Sequence, residues 1–158
     1  MQFRRGCRLW WVMIPVVLID RVTKLLVLRF LAPAGVRTAL PGILSWAFVK
    51  NTGAAFGILS GNWLLPLLTA ALVAGLLAYL LRHPEAQRLF RAGLWLIVGG
   101  GLGNLYDRIA YGYVVDFIRL DFVRFAVFNA ADVFICAGAA LAVISVFITE
   151  AGRKKLHG

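Results

Sequence analysis

The sequence predicts an α-helical integral membrane protein, with four transmembrane helices and a small β-sheet in the loops of the outer face. Three observations carry that prediction. Of 158 residues, 61% are hydrophobic and only 15% charged, and the mean hydropathy is +0.84. A soluble domain carries about a quarter charged residues, so the excess apolar surface needs lipid as its solvent. The apolar residues also gather into runs near the ~20 residues that cross a bilayer. Finally, the basic residues stand at the ends of those runs, as topology signals do. The net charge of +10 therefore reads as membrane orientation, and no basic face suits a nucleic acid. The length suits one membrane-embedded domain over residues 1–158.

The first span is expected over residues 9–31. Asp20, Arg21, Lys24 and Arg29 interrupt it. Arg4, Arg5 and Arg8 precede it, as in a cleavable signal peptide, but the apolar run meets Asp20-Arg21-Val22-Thr23-Lys24 instead of a small-residue cutting site. It reads as a retained helix whose charges face other helices. The second span, 63–81, contains no charge. The third, 93–111, reaches full length only by continuing through Asp107-Arg108, and the fourth, 126–148, is broken by Asn129 and Asp132. Arg4, Arg5 and Arg8, then Arg82, Arg88 and Arg91, then Arg153, Lys154 and Lys155 place both termini and the middle loop in the cytoplasm. Residues 32–62 and about 109–125 then face outward. Within them, Ile43–Val49 follows a Pro41-Gly42 turn and suits a strand, and Ile118–Phe122 alternates apolar and polar as a half-buried strand does.

Two aspartates stand out against this background. Asp116 closes the stretch Gly112-Tyr113-Val114-Val115-Asp116-Phe117, and Asp132 lies inside the run Phe128–Ile135. An ionisable group in a spanning segment is expensive and marks a functional site by default. Both fall on the outer side, so they suggest a shared acid/base pair, the chemistry of aspartic proteolysis. If they meet, repulsion and desolvation let the pair share one proton. The ionised member then activates a water while the protonated member polarises a carbonyl.

The remaining polar residues have two readings each. Asp20 and Lys24 share a helix face at spacing four; they either neutralise each other for insertion or support the site. Asn51-Thr52-Gly53-Ala54-Ala55-Phe56 either starts a helix capped by Asn51 or lets Asn51, Gly53 and nearby backbone bind an extended peptide. Gly99 and Gly103 fit small-xxx-small packing between helices. Gly100, Asn104 and Arg108 form an adjacent stripe, and packing does not explain Asn104, Asp107 or Arg108. Asn129 and Asp132 share the opening turns of span four.

Other chemistries lack their residues. His83 and His157 lie in basic segments, Cys7 and Cys136 show no paired spacing, and HExxH is absent, so neither a metal site nor a disulfide framework is indicated. Ser45, Ser60 and Ser145 lack a nucleophile elbow. A proton- or ion-coupled transporter is the rival class, but it needs a polar track across the membrane, whereas the inner half of span four offers only Ser145. A non-enzymatic assembly subunit leaves the two aspartates unexplained.

Together the motifs Asp20-x-x-Thr23-Lys24, Asn51-x-Gly53-Ala54-Ala55-Phe56, Gly103-Asn104-x-x-Asp107-Arg108, Val115-Asp116-Phe117 and Phe128-Asn129-x-Ala131-Asp132 resemble bacterial lipoprotein signal peptidase, signal peptidase II, over nearly the whole chain. The resemblance implies a four-helix, multi-pass aspartic endopeptidase of the bacterial inner membrane, with its site near the periplasmic face. Its substrates would be diacylglyceryl-prolipoproteins, cut immediately before the lipidated cysteine. It implies Asp116 and Asp132 as the catalytic dyad. Asn51, Gly53, Asn104, Arg108 and Asn129 would line the site, with Asp20, Lys24 and Asp107 supporting. A short mobile outer helix around residues 53–62 would close over the substrate. Two positions depart from the family's pattern: Arg21 stands where Gln is frequent, and Ala130 lies in a variable slot. The expected surroundings are membrane lipids, the expected state a monomer, and no cofactor is implied.

Overall fold

The computed structural model describes residues 6–53 and 63–157. The chain runs through α1 (Met13–Leu26), β1 (Arg37–Leu40), β2 (Leu44–Asn51), α2 (Leu64–Arg82), α3 (Arg88–Tyr111), β3 (Val114–Leu120) and α4 (Ala130–His157). A 3₁₀ segment, Gly6–Val12, leads into α1, and a π turn, Val27–Leu31, ends it. The helix at residues 53–62 expected to close over substrate falls, from residue 54 on, outside the described residues.

Helix α3 is the axis of the molecule, packed against α1, α2 and α4. Successive glycines make that possible, because residues 100° apart on a helix face different neighbours. A Cβ at Gly99 would strike Val16 of α1; at Gly100, the Ala131 carbonyl of α4; at Gly101, Val73 of α2. Gly93 and Gly138 lie against each other's backbone further along α3 and α4. Without a hydrophobic drive between helices in lipid, such close backbone approach supplies the association.

Two helices are long and apolar enough to cross a membrane among the described residues: Leu64–Arg82 and Ala130–Thr149, each of mean hydropathy 2.3. Only 11% of the α2 window is buried, so it is not the core helix of a soluble protein. Leu67, Leu72, Phe147 and Ile148 point outward with more than half their surface open. By contrast α1 buries Val16, Asp20 and Lys24 on one face, and those charges keep it from standing out by hydropathy.

The sheet is three-stranded in the order β1-β2-β3, antiparallel throughout. Leu40-Pro41-Gly42-Ile43 closes the β1–β2 hairpin, with Gly42 at φ 71° and the Ile43 N–H on the Leu40 carbonyl at 3.0 Å. Pro followed by a positive-φ Gly is the type II turn signature. Two boundaries differ from the sequence expectation. The strand expected over Ile118–Phe122 begins at Val114, because Gly112 stops α3 in the left-handed conformation, its N–H on the Arg108 carbonyl. Asp116 thus belongs to a strand and not to the edge of a span. Helix α4 starts at Ala130 rather than 126, since Phe128 pairs with Ile118 as an added bridge on β3.

Candidate active site

β3 brings Asp116 into the protein by alternation. Val115 and Phe117 face the cluster with Val27 of the π turn, so Asp116 faces the other way, toward α4. Its carboxylate is 2% exposed. β2 and β3 pair Asn51 with Val114 and Val49 with Asp116, after an irregularity between Trp46 and Val49. Asn51 is therefore the diagonal same-face neighbour of Asp116, and its Nδ2 donates to Asp116 Oδ2 at 2.8 Å. Asn51 Oδ1 accepts the Gly53 N–H at 3.0 Å. Asn51 ends a strand, and Gly53 contributes backbone.

Asp132 reaches the same place from the start of α4. Asn129 caps that helix: its Oδ1 accepts the Asp132 N–H at 3.1 Å, while Asp132 Oδ2 accepts the Asn129 N–H at 3.1 Å. This is a capping box in which Asn and Asp replace the usual Ser and Glu. Asn129, fully buried, also donates its Nδ2 to Asp116 Oδ1 at 2.7 Å. One asparagine thus holds both carboxylates, which stand close enough for the Asp132 charge to act on Asp116. Burial pushes the Asp116 carboxyl up to about 6, against the hydrogen bonds from Asn51 and Asn129; the Asp132 charge adds to the rise and the Lys24 charge opposes it.

Asn104 of α3 completes the cluster. Its Oδ1 accepts from Lys24 Nζ at 2.8 Å and from Asn129 Nδ2 at 3.1 Å, and its Nδ2 donates to Asp132 Oδ1 at 2.8 Å. An ammonium can only donate, so Lys24 dictates which end of Asn104 faces it. That choice turns the Asn104 amide N–H toward Asp132 and orients Asn129 in turn. Asp107 lies beneath: its Oδ2 accepts the Val115 N–H at 3.1 Å and pairs with Lys24 at 2.9 Å. It ties the strand beside Asp116 to α3. Among the described residues Arg108 bonds only the Asn104 carbonyl of its own helix, at 3.4 Å, and the charges of Asp116 and Asp132 reach it. Its guanidinium borders two cavities, about 260 and 330 Å³. The smaller is walled by apolar residues of α2 such as Leu68 and Leu72, with Asn104 and Arg108 as its polar end. Asp20, Lys24, Asn51, Asn104, Asp107, Asn129 and the two aspartates come to this one place, while Ala54, Ala55 and Phe56 lie outside the described residues. Arg21, marked in the sequence only as a departure, joins it by bonding Asp20 and Asp107. No local pattern distinguishes it, because its partner Asp107 lies on another helix.

The geometry matches a known family. The sequence model of Signal peptidase (SPase) II matches residues 12–148, which spans all five motifs. The chain belongs to the signal peptidase II family. Lipoprotein signal peptidase of Streptococcus pyogenes serotype M5 (strain Manfredo) is 37% identical over 139 residues, 87% of this chain and 91% of that protein. That of serotype M3 (strain ATCC BAA-595 / MGAS315) is 36% identical over the same shares. A bacterial membrane enzyme solved by the in meso method at 2.3 Å superposes with a TM-score of 0.80 at 28% identity, over 90% of this chain and 88% of that one. A second, solved at 1.9 Å, gives 0.77 at 29% identity, over 86% and 90%. As a signal peptidase II, the protein is a bacterial membrane peptidase, and the transporter alternative is without support.

Proposed function

We propose that the protein is an aspartic endopeptidase that removes the signal peptide from diacylglyceryl-modified prolipoproteins, cutting immediately before the lipidated cysteine. The observation that carries the reading is Asn129, bonded to both Asp116 and Asp132. Two carboxyls held by one group and close enough to repel are suited to share a proton. The ionised carboxylate takes a proton from a water whose oxygen attacks the scissile carbonyl carbon. The protonated carboxyl donates to the carbonyl oxygen as the tetrahedral centre forms. Collapse breaks the C–N bond, and the proton passes to the departing cysteine nitrogen. Arg108, Asn51 and the Gly53 backbone border the place where an extended segment lies beside the dyad.

The apolar cavity lined by α2, α3 and Ile135 of α4 takes the acyl chains in this reading, so a substrate held by them arrives with the scissile bond at the depth of the dyad. Anchoring of that kind replaces a deep pocket by proximity. In this reading residues 1–158 form one peptidase domain with four spans in the inner membrane. Both termini and the Arg82–Arg91 loop are cytoplasmic, the sheet and dyad are periplasmic, and the monomer suffices. Purified protein in detergent, given a lipidated prolipoprotein and its unlipidated counterpart, tests this by gel shift. Cleavage of only the lipidated form, lost in Asp116→Asn and in Asp132→Asn, is expected. Normal processing by either variant overturns the dyad.

A further inference from the structure

An apolar groove lies on the side of β3 turned away from the dyad. Residues alternate along a strand, so Phe117 points opposite to Asp116 and into this groove, a space of about 500 Å³ between α1 and the sheet. Thr23, Val27, Phe30 and Ala34 follow one another at spacings of four, three and four. They put one side of α1, its π turn and the bend after it along the groove, over about 15 Å. Val27 and Phe117 form a buried floor, while Phe30 stands 60% open on the wall. Trp46 meets Phe117 with ring centroids 6.1 Å apart. Charge enters at one end. Arg37 is the direct partner of Trp46 in the β1–β2 pair, so both side chains share one face of the sheet. It borders the groove where the chain leaves α1. The Arg29 guanidinium, 5.4 Å over the Phe30 ring, adds a second cation beside that wall. Among the described residues no carboxylate lines the groove. Asp121 bonds Ser45, whose side chain takes the other face of β2 from Trp46.

We propose that this groove binds an anionic phospholipid, with one acyl chain lying along α1 between Phe30 and Trp46 and the headgroup phosphate held by Arg37. The shape suits a chain, because the groove is long, apolar and parallel to a helix of a membrane protein. The charge suits a phosphate, which the planar guanidinium meets with two parallel N–H groups. Tryptophan at the level of the headgroups is the usual neighbour of such a site. A diacylglyceryl group is neutral and offers Arg37 no partner. The groove is thus distinct from the acyl cavity beside Asn104 and Arg108, which lies among α2, α3 and α4. A chain seated here packs on Phe117 and so backs the strand that carries Asp116. The site stands whether or not Asp116 and Asp132 are the dyad, since none of its residues belongs to that cluster.

The test is native mass spectrometry of the full chain released from detergent, after titration with dioleoyl phosphatidylglycerol or with neutral dioleoylglycerol. The proteins are the wild type, Arg37→Gln, Ala34→Trp, Phe30→Ala and Arg82→Gln, the last at the far end of α2. Unfolding midpoints in lipid-free detergent establish that each is folded. The wild type is expected to retain one phosphatidylglycerol at concentrations where dioleoylglycerol is lost. Arg37→Gln should weaken retention about tenfold, the scale of one charge-assisted hydrogen bond. Ala34→Trp fills the groove and should abolish retention, and Arg82→Gln should match the wild type. If Ala34→Trp does not fold, Phe30→Ala decides: weaker retention upholds the groove and unchanged retention overturns it. Equal retention of the two lipids overturns the phosphate contact, and equal weakening by Arg82→Gln and Arg37→Gln reduces the lipid to unspecific annular binding. A dimer that Ala34→Trp dissociates would make this face a contact between two copies and overturn the lipid site.

Discussion

Asp116, one carboxyl of the proposed dyad, ties stability to pH. Its carboxyl titrates near 6 against an ordinary value of 3.8, so the folded state holds the proton more tightly than the unfolded chain does. The stability this contributes is complete below about pH 4 and is lost as pH rises through about 6. The loss amounts to about 1–3 kcal/mol, since each pH unit of displacement is ~1.4 kcal/mol. The unfolding midpoint in detergent should therefore fall between pH 4.5 and 7.5. Asp116→Asn, which does not titrate, should flatten that slope; parallel slopes in both proteins would remove the physical account. Activity has its own dependence: the proposed mechanism needs one carboxyl ionised and the other protonated, so cleavage should decline as pH rises through about 6 and Asp116 gives up its proton, and decline again in acid once both are protonated.

At the scale of elements, the glycines of α3 decide how near the dyad's two supports lie. Asn104 stands on α3 and Asp132 on α4, and their bond needs the two backbones close. A Cβ at Gly93 would meet the Gly138 carbonyl and the Ala142 amide, which are backbone atoms and cannot swing aside. Gly93→Ala should cost about 1–3 kcal/mol by overpacking and reduce cleavage with it. Gly75 of α2 has nothing near its missing Cβ. Gly75→Ala should instead be neutral or gain up to about 1 kcal/mol from helix propensity. Midpoints that move the same way in the two variants would refute this contrast. Gly103 belongs to a third kind of position, because a Cβ there would meet the Asp20 carboxylate. Its substitution should disturb the charge cluster more than the helix packing.

For the whole molecule, the distribution of charge and exposed apolar surface sets orientation. α2 and α4 present leucine, isoleucine and phenylalanine outward, while the basic residues gather at the α2–α3 connection and in the last part of the chain. In the proposed four-span topology, the positive-inside rule puts the sheet on the far side of the membrane. Glu85, in the connection, and Thr38, on the exposed edge strand β1, are both open to solvent. In a background lacking Cys7 and Cys136, Thr38→Cys should react with an impermeant maleimide from the periplasmic side. Glu85→Cys should react only after the inner membrane is breached. Labelling of both from one side would overturn the four-span arrangement.

The sequence by itself determined the solvent of this protein, the runs that became α2 and α4, and the polar residues that the fold gathers into one cluster. Hydropathy and charge placement are additive over a short window, and a carboxylate in an apolar run is conspicuous without any structure. The Pro41-Gly42 turn and the strand after it were legible for the same local reason. Tertiary structure decided what each residue meets. It placed Asp116 on a strand, added the exposed β1, and sent three consecutive glycines to three different helices. It also drew Arg21 to Asp107, 86 residues away, and gave Asn129 both carboxylates. No periodicity records such pairings, because a buried donor is satisfied by whatever acceptor the packing brings to it. That choice is made only when the helices close.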